Sequence, residues 1–204
     1  MTMSTPLIHV VDDDEPLRTA VLRLLDAAGF EARGYASTGD FLLHPLPDRP
    51  GCVLLDVRMP GPSGLDLQEA LQRQGVTLPV VFLTGHADVA SSVKALKAGA
   101  VDFLTKPFER QTLFEALDRA LARDAAQRAA HVEADELRSR VGALTDRERQ
   151  VFDYVAAGLL NKQVADAMNI AERTVKLYRA RLMEKLGAGS AAELGRLAER
   201  LRHL

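Results

Sequence analysis

Short apolar runs alternate with amphipathic segments along the first half of the chain. The strongest runs are almost continuously apolar, which is typical of strands that are covered on both faces of a sheet. The segments between them carry apolar residues at helical spacing, as in Leu17, Val21 and Leu24. Strands that alternate with helices indicate βαβ units, so the pattern predicts an α/β fold, a (βα)5 doubly wound parallel sheet. The predicted strands are Leu7–Val11, Glu31–Ala36, Cys52–Asp56, Pro79–Thr84 and Val101–Leu104, and the clearest predicted helices are Leu17–Ala28, Gly64–Gln74 and Ala87–Ala98.

The segment Phe108–Val141 is predicted to be one long helix, because it contains neither glycine nor proline and is rich in alanine, glutamate, leucine and arginine. Large apolar residues are dense up to Leu121 and then sparse until Leu137. We therefore expect the first part to pack on the sheet and the second part to cross solvent as a helical linker. Two helices with an unmarked break are the alternative.

The last third of the chain has an entirely helical pattern. Thr145 and Glu148 have the spacing of a capping box, which predicts a helix start at Thr145. A short helix that ends at Met168 is followed by a tight turn and by the longer, basic helix Arg173–Leu186. This succession is the helix-turn-helix pattern. Together with a last helix, Ala191–Leu201, it predicts a small all-α domain, a four-helix helix-turn-helix.

The composition is that of an ordinary folded protein, since 47% of the 204 residues are hydrophobic and 26% are charged. No apolar run reaches the roughly 18–20 residues that a membrane helix needs, and the polar start lacks a signal-peptide core, so we expect a cytoplasmic protein without membrane contact. The net charge is −5 before Gly142 and +3 from there on, which predicts different partners for the two parts. The single cysteine, Cys52, is expected to be a small buried residue.

Acidic residues stand at the predicted ends of two strands, with Asp12 and Asp13 after the first and Asp56 at the end of the third. In a parallel sheet these ends open onto one crevice, where converging carboxylates repel one another until a hard cation such as Mg²⁺ binds. The fourth strand ends at the hydroxyl of Thr84, and the fifth is followed by the cation Lys106. A carboxylate nucleophile, a metal, a hydroxyl and a lysine together suit phosphoryl transfer.

Each of these residues also has an ordinary structural interpretation. The acidic run Asp12–Glu15 could mark a helix N-terminus. Asp56 could start a turn, and Lys106-Pro107 could be a loop before a helix. Their joint placement at successive strand ends of one sheet favours the functional interpretation.

Four segments of the first 122 residues resemble the CheY-like receiver domain of two-component response regulators. They are Val10–Asp14, Leu54–Pro60, Leu83–His86 and Phe103–Phe108, which follow one another at family-like spacing. The resemblance implies Asp56 as the phosphoacceptor, Mg²⁺ or Mn²⁺ as the cofactor, and a sensor histidine kinase as the phosphoryl donor. It also implies a set of contacts: Asp12, Asp13, Asp56 and the main-chain carbonyl of Arg58 for the metal, and Thr84 and Lys106 for the phosphoryl group.

The same resemblance implies a conformational switch. Thr84 would move to donate a hydrogen bond to the phosphoryl group, and Phe103 would fill the vacated space. The outer face of the helix Ala87–Ala98 and the fifth strand would then change shape and offer a dimer surface. We therefore expect a homodimer when the protein is phosphorylated. The bond Lys106–Pro107 is expected to be cis, as it commonly is in this family.

Residues 142–201 closely resemble the LuxR-type helix-turn-helix domain, through Leu144–Val151, Gly158–Ala165, Arg173–Lys176 and Lys185–Gly187. A receiver followed by this module is the architecture of the FixJ/NarL class of bacterial transcription regulators, which implies double-stranded promoter DNA as a partner and RNA polymerase as a further candidate. Leu160 stands where many relatives have a small polar residue, and Tyr178 where many have histidine. By analogy, the DNA contacts are Lys162 and Thr174 on phosphates, Lys176 and Leu177 on bases, and Arg179, Arg181 and Lys185 as additional contacts.

These interpretations predict a receiver over residues 1–122, a helical linker over 123–141 and a LuxR-type domain over 142–204. The expected protein is a transcription factor rather than an enzyme, apart from its own Mg-dependent phosphoryl transfer and autodephosphorylation. The enzymatic alternative is a phosphatase of the haloacid-dehalogenase type, but that class needs a second aspartate two positions after the nucleophile, where this chain has Arg58. The other alternative is a helix-turn-helix that binds only protein, or an output that ignores phosphorylation.

Overall fold

The computed structural model describes residues 5–85 and 99–203 of the chain. The predicted helix Ala87–Ala98, and with it that helix's part of the predicted dimer surface, lies outside the described residues. The chain forms two compact units, residues 1–128 and residues 129–204, and each is described by itself.

The first unit is built around a five-stranded sheet with the order β2-β1-β3-β4-β5. Every neighbouring pair of strands is parallel, which confirms the predicted doubly wound sheet. The strand bounds differ from the predicted ones by one residue at most. The strands are β1 (Leu7–Val11), β2 (Glu31–Tyr35), β3 (Gly51–Asp56), β4 (Val80–Thr84) and β5 (Asp102–Thr105).

Three helices lie between the first four strands: α1 (Glu15–Ala27), α2 (Thr38–Leu43) and α3 (Gly64–Arg73). The pattern predicts α1 and α3 closely but does not single out α2. This helix has six residues, too few to show an amphipathic repeat. It is fixed locally, because the hydroxyl of Ser37 accepts a hydrogen bond from the backbone N–H of Asp40 at 3.0 Å.

The two faces of the sheet bury separate sets of side chains, because successive residues of a strand point to opposite faces. On one face, Ile8, Leu54 and Val81 pack with α1 and with the first turns of the long helix that begins at Arg110. On the other face, Val53 and Phe82 pack with α2 and α3. Cys52 belongs to the first face and is fully buried, as predicted. Burial, and to a smaller extent the negative charge of Asp124, raises the pKa of its thiol to about 12.

The helix α4 (Arg110–Gly142) is continuous, so the alternative of two helices with a break is wrong. A polar cluster ties this helix to the loop before β3. The buried carboxylate of Asp124 accepts hydrogen bonds from the backbone N–H of Gly51 at 3.2 Å and from Arg128 Nε at 3.0 Å. Arg128 also donates to Asp48 at 2.7 Å and to the carbonyl of Arg49 at 2.5 Å. The guanidinium therefore holds the helix to the sheet as far as residue 128.

The second unit consists of the end of α4 and the helices α5 (Asp146–Ala156), α6 (Asn161–Met168), α7 (Glu172–Leu186) and α8 (Ala191–Arg202). They share one apolar core, in which Val151, Val164, Val175 and Leu182 are fully buried. This arrangement confirms the predicted all-α region. The capping box of Thr145 is formed, and α7 ends at Gly187 in the left-handed conformation with φ 66°.

We predict that Asp124→Ala lowers the free energy of unfolding of the first unit by about 2 kcal/mol, because it leaves a buried N–H and a guanidinium without their acceptor. We expect a lower melting temperature for the first unit within the full chain, and faster hydrogen exchange in Gly51–Asp56.

Asp118→Ala is the matched control, since Asp118 is an exposed aspartate on the same helix. Equal melting temperatures and equal exchange in the two variants would contradict the anchoring role of Asp124.

Candidate functional site

Three carboxylates meet at the carboxyl ends of β1 and β3. Asp12 and Asp13 directly follow β1, and Asp56 is the last residue of β3. Because the two strands are adjacent and parallel, their ends lie side by side. One carboxylate oxygen of each residue lies within 4.8 Å of the corresponding oxygens of the other two. The structure thus brings together the three acidic residues that the sequence predicts.

Lys106 neutralises part of this acidic charge. Its Nζ donates to Asp12 Oδ2 and to Asp56 Oδ2, both at 2.6 Å. Burial lowers the pKa of Lys106, but the hydrogen bonds to the two carboxylates outweigh burial and raise it. Burial raises the pKa of Asp12, which is fully buried, and the hydrogen bond from Lys106 opposes that rise. Three carboxylates facing one ammonium leave an uncompensated negative charge.

Backbone hydrogen bonds fix the orientation of the two buried carboxylates. Asp12 Oδ1 accepts from the N–H of Asp14 at 3.0 Å, and Asp56 Oδ1 accepts from the N–H of Arg58 at 3.1 Å. The side chain of Arg18 donates to the carbonyl of Asp12 at 2.5 Å, a contact that the sequence does not indicate. The role of the Arg58 carbonyl as a metal ligand stays a prediction.

The chemistry of these donors fits a small divalent cation. Mg²⁺ and similar hard ions prefer carboxylate oxygens and keep some of their waters, so a partly exposed cluster suits them. Asp13 is exposed while Asp12 and Asp56 are buried, so the site is open to solvent at Asp13. The cluster is therefore a candidate metal centre beside a candidate nucleophile.

The other two predicted residues lie on the neighbouring strands. Thr84 is buried at the end of β4 and is paired in register with Thr105 of β5, and the carbonyl of Thr84 accepts from the N–H of Lys106 at 2.6 Å. Phe103 is half-buried beside Phe82, with ring centroids 6.2 Å apart. The Lys106–Pro107 bond is cis, as the resemblance implies. The switching roles of Thr84 and Phe103 stay predictions.

A second candidate surface is formed by α6 and α7 of the other unit. Val175, Leu182 and Leu186 face the core, so the basic residues of α7 lie outside that stripe. Among the predicted DNA contacts, Lys162, Lys176, Leu177 and Arg181 are exposed, whereas Thr174 and Arg179 are half-buried. Leu160, where a small polar residue is usual, has no side-chain acceptor, and its own backbone N–H donates to Gln163 Oε1 at 2.8 Å.

Lys185, which is predicted as a DNA contact, also takes part in a contact inside the unit. Its Nζ donates to Glu148 Oε2 at 2.7 Å. Glu148 is 3% exposed and accepts from the backbone N–H of Thr145 at 2.9 Å as well. The hydrogen bond from Lys185, with that from Thr145, lowers the pKa of Glu148 to about 2. The capping box indicates Glu148 in the sequence, but nothing there indicates its partner Lys185.

Comparison with known proteins agrees with this geometry. Residues 8–118 match the family described as "Response regulator receiver domain", and residues 142–198 match "Bacterial regulatory proteins, luxR family". A receiver site joined to a helix-turn-helix defines the class of transcriptional response regulators. The chain belongs to the FixJ/NarL-like response regulators of two-component systems.

The chain is 43% identical to nodulation protein W of Bradyrhizobium diazoefficiens, over 96% of its own length and 86% of the relative. It is 44% identical to the tetrathionate response regulatory protein TtrR of Salmonella typhimurium, over 95% of its own length and 92% of the relative. The solved structure of the response regulator StyR superposes with a TM-score of 0.81 at 43% identity, covering 97% of this chain and 100% of that one. Within the described residues, no helix is long and apolar enough to cross a membrane.

We predict that Lys185→Met destabilises the second unit by about 1–2 kcal/mol, because it removes a charge-assisted hydrogen bond from a buried carboxylate. The loss should depend on pH. The pKa of Glu148 is below its ordinary value in the folded protein, so its stabilising contribution is present above about pH 4.5 and disappears as the pH falls towards 2. Hydrogen exchange in α7 measures both effects.

Arg181→Met is the control for stability, since Arg181 is exposed on the same helix. Protection of α7 that falls equally in both variants, or a Lys185→Met loss that stays constant between neutral pH and pH 3, would contradict the ion pair.

Proposed function

We propose that Asp56 is the phosphoacceptor of this response regulator. The observation that carries the proposal is the carboxylate of Asp56, 2.6 Å from Lys106 Nζ and grouped with the carboxylates of Asp12 and Asp13. A carboxylate oxygen of Asp56 attacks the phosphorus of a phosphohistidine on a sensor kinase. The new O–P bond replaces the N–P bond, and the histidine nitrogen leaves with the bonding electron pair. Hydrolysis of the resulting acyl phosphate by water resets the protein.

Asp12, Asp13 and Asp56, together with the carbonyl of Arg58, would hold Mg²⁺. When bound, the ion neutralises charge on the transferred group. Lys106, whose Nζ lies 2.6 Å from Asp56 Oδ2, moves from pairing two carboxylates to pairing the phosphoryl oxygens. The hydroxyl of Thr84 donates a hydrogen bond to the same group, and the ring of Phe103 fills the space that Thr84 leaves. The phosphoryl group adds a charge of about −1.5 to −2, which drives these movements.

We predict that the protein gains the mass of one phosphoryl group when it is incubated with acetyl phosphate and Mg²⁺. Asp56→Asn should gain none, because its amide is not a nucleophile. Intact-protein mass spectrometry checks this prediction.

Asp26→Asn is the control, since Asp26 is an exposed aspartate on α1. It should be phosphorylated like the wild type. Undiminished labelling of Asp56→Asn, or an unlabelled wild type, would refute the assignment.

We further propose that α7 enters the major groove of promoter DNA, with Lys176 and Leu177 on base edges and Lys162 and Thr174 on phosphates. The exposure of Lys162, Lys176 and Leu177 supports this proposal. Phosphorylation promotes a homodimer, which binds two half-sites more tightly than a monomer binds one. The division into a receiver over residues 1–122, a linker over 123–141 and a DNA-binding domain over 142–204 belongs to the same proposal.

We predict that Lys176→Ala weakens binding to a duplex enriched from a random-sequence pool by about 1–3 kcal/mol and relaxes the sequence preference, because a base contact is lost. Affinity measured by fluorescence anisotropy, before and after acetyl phosphate, tests this together with the phosphorylation dependence.

Sedimentation of the same samples reports the oligomeric state. An unchanged sequence preference in Lys176→Ala would exclude this residue as a reader. Identical mass and identical DNA affinity with and without acetyl phosphate would show that phosphorylation of Asp56 does not control DNA binding.

A further inference from the structure

A groove lies between the N-terminus of α6 and the side of α7. It measures about 400 Å³ and is lined by Leu160, Asn161, Lys176, Arg179, Ala180 and Met183. Two of these side chains, Lys176 and Arg179, are cations, and Lys176 pairs with Glu172 at 3.3 Å on the exposed rim. The groove therefore combines apolar walls with a positive charge.

Arg179 is held in this groove by a neighbouring helix. Its Nη1 donates to Asn161 Oδ1 at 2.6 Å, a contact between the first residue of α6 and the third turn of α7. An arginine side chain has many rotamers. Because Asn161 fixes Arg179 before binding, the side chain loses less conformational entropy when it binds DNA. The bond uses one N–H of Nη1, so the edge formed by Nε and Nη2 still offers two parallel donors.

Resting on the DNA-binding function proposed above, we infer that this groove clamps a backbone phosphodiester of DNA and that Asn161 is the positioning residue that orients Arg179 for it. Arg179 supplies the bidentate donor edge. The N-terminus of α6 adds its partial positive charge, and Lys176, which is assigned to a base edge, adds only the field of its nearby ammonium.

The position of the guanidinium favours a phosphate over a base edge. A side chain that reads bases projects from the exposed face of the helix into the major groove. The guanidinium of Arg179 is instead drawn sideways to Asn161 on the neighbouring helix and is half-buried. The strands of the DNA backbone flank a helix that lies in the major groove, so a donor at its side meets phosphates. The contact is then independent of sequence.

The test uses the full chain, phosphorylated with acetyl phosphate, on two short duplexes: one enriched from a random pool and one of unrelated sequence. Affinity is measured over a series of KCl concentrations for Asn161→Ala, Arg179→Met, the double variant and Asn161→Asp. Gln150→Ala is the matched control, because it removes an exposed amide on α5. Melting temperatures show that each variant is folded.

Arg179→Met should lower affinity for both duplexes about tenfold and reduce the slope of log K against log salt by about one. Asn161→Ala should lower it about three- to tenfold and add nothing in the Arg179→Met background, because it acts through Arg179. Asn161→Asp keeps the contact with Arg179 but neutralises the charge of the guanidinium. This variant should therefore keep the wild-type melting temperature and show the same reduction in salt slope as Arg179→Met. Gln150→Ala should behave as the wild type.

Three results would overturn the inference. They are wild-type affinity in Asn161→Ala, a further loss when it is added to Arg179→Met, and an Arg179→Met effect confined to the enriched duplex, which would mean base reading. A wild-type chain that binds neither duplex would instead refute the DNA-binding function itself, so the two failures are distinguishable.

Discussion

The contact of Lys106 with Asp12 and Asp56 is the interaction on which the rest of the site depends. Two unit charges 4 Å apart interact by about 4 kcal/mol at the effective dielectric of a protein surface, so three grouped carboxylates would repel one another strongly without a cation. One ammonium, 2.6 Å from two of them, compensates only part of this charge. The remaining negative charge favours a divalent cation, and it makes the position of Lys106 sensitive to any group added to Asp56.

The parallel sheet connects this site to the neighbouring strands. Lys106 follows β5, and its backbone N–H donates to the carbonyl of Thr84 at the end of β4. Phe103 lies in β5 on the same face as Phe82. In the proposed mechanism, a displacement of Lys106 towards a phosphoryl group therefore acts on the ends of β4 and β5. At the opposite end of the sheet, Asp124 and Arg128 hold the middle of the helix α4 to β3 and to the loop before it.

The predictable parts of the structure share a local cause. Each buried strand is an apolar run, and Asp56 and Thr84 were placed together because parallel strands end on one edge. The contacts that the sequence did not indicate join residues far apart in the chain. Arg128 reaches Asp48 across 80 residues, and Lys185 reaches Glu148 across 37. Periodicity and turn residues carry no information on such pairs, because the partners of long flexible side chains are determined by the packing of the helices.

Basic residues on α7 illustrate why charge alone is a poor guide to a binding surface. All four cations predicted to contact DNA from this helix have the same sign in the sequence, but the fold gives them different partners. Lys185 stabilises a buried carboxylate, and Arg179 is bound by Asn161. In the part of the chain that the structure describes, the ion pair of Lys176 is an exposed one with Glu172 of its own helix, which contributes little because water screens it. A cation that is weakly paired in the free protein loses little when it binds DNA, which favours Lys176 for the proposed contacts. Arg179 is held in one orientation by Asn161 before any binding, and Lys185 would have to give up its bond to Glu148.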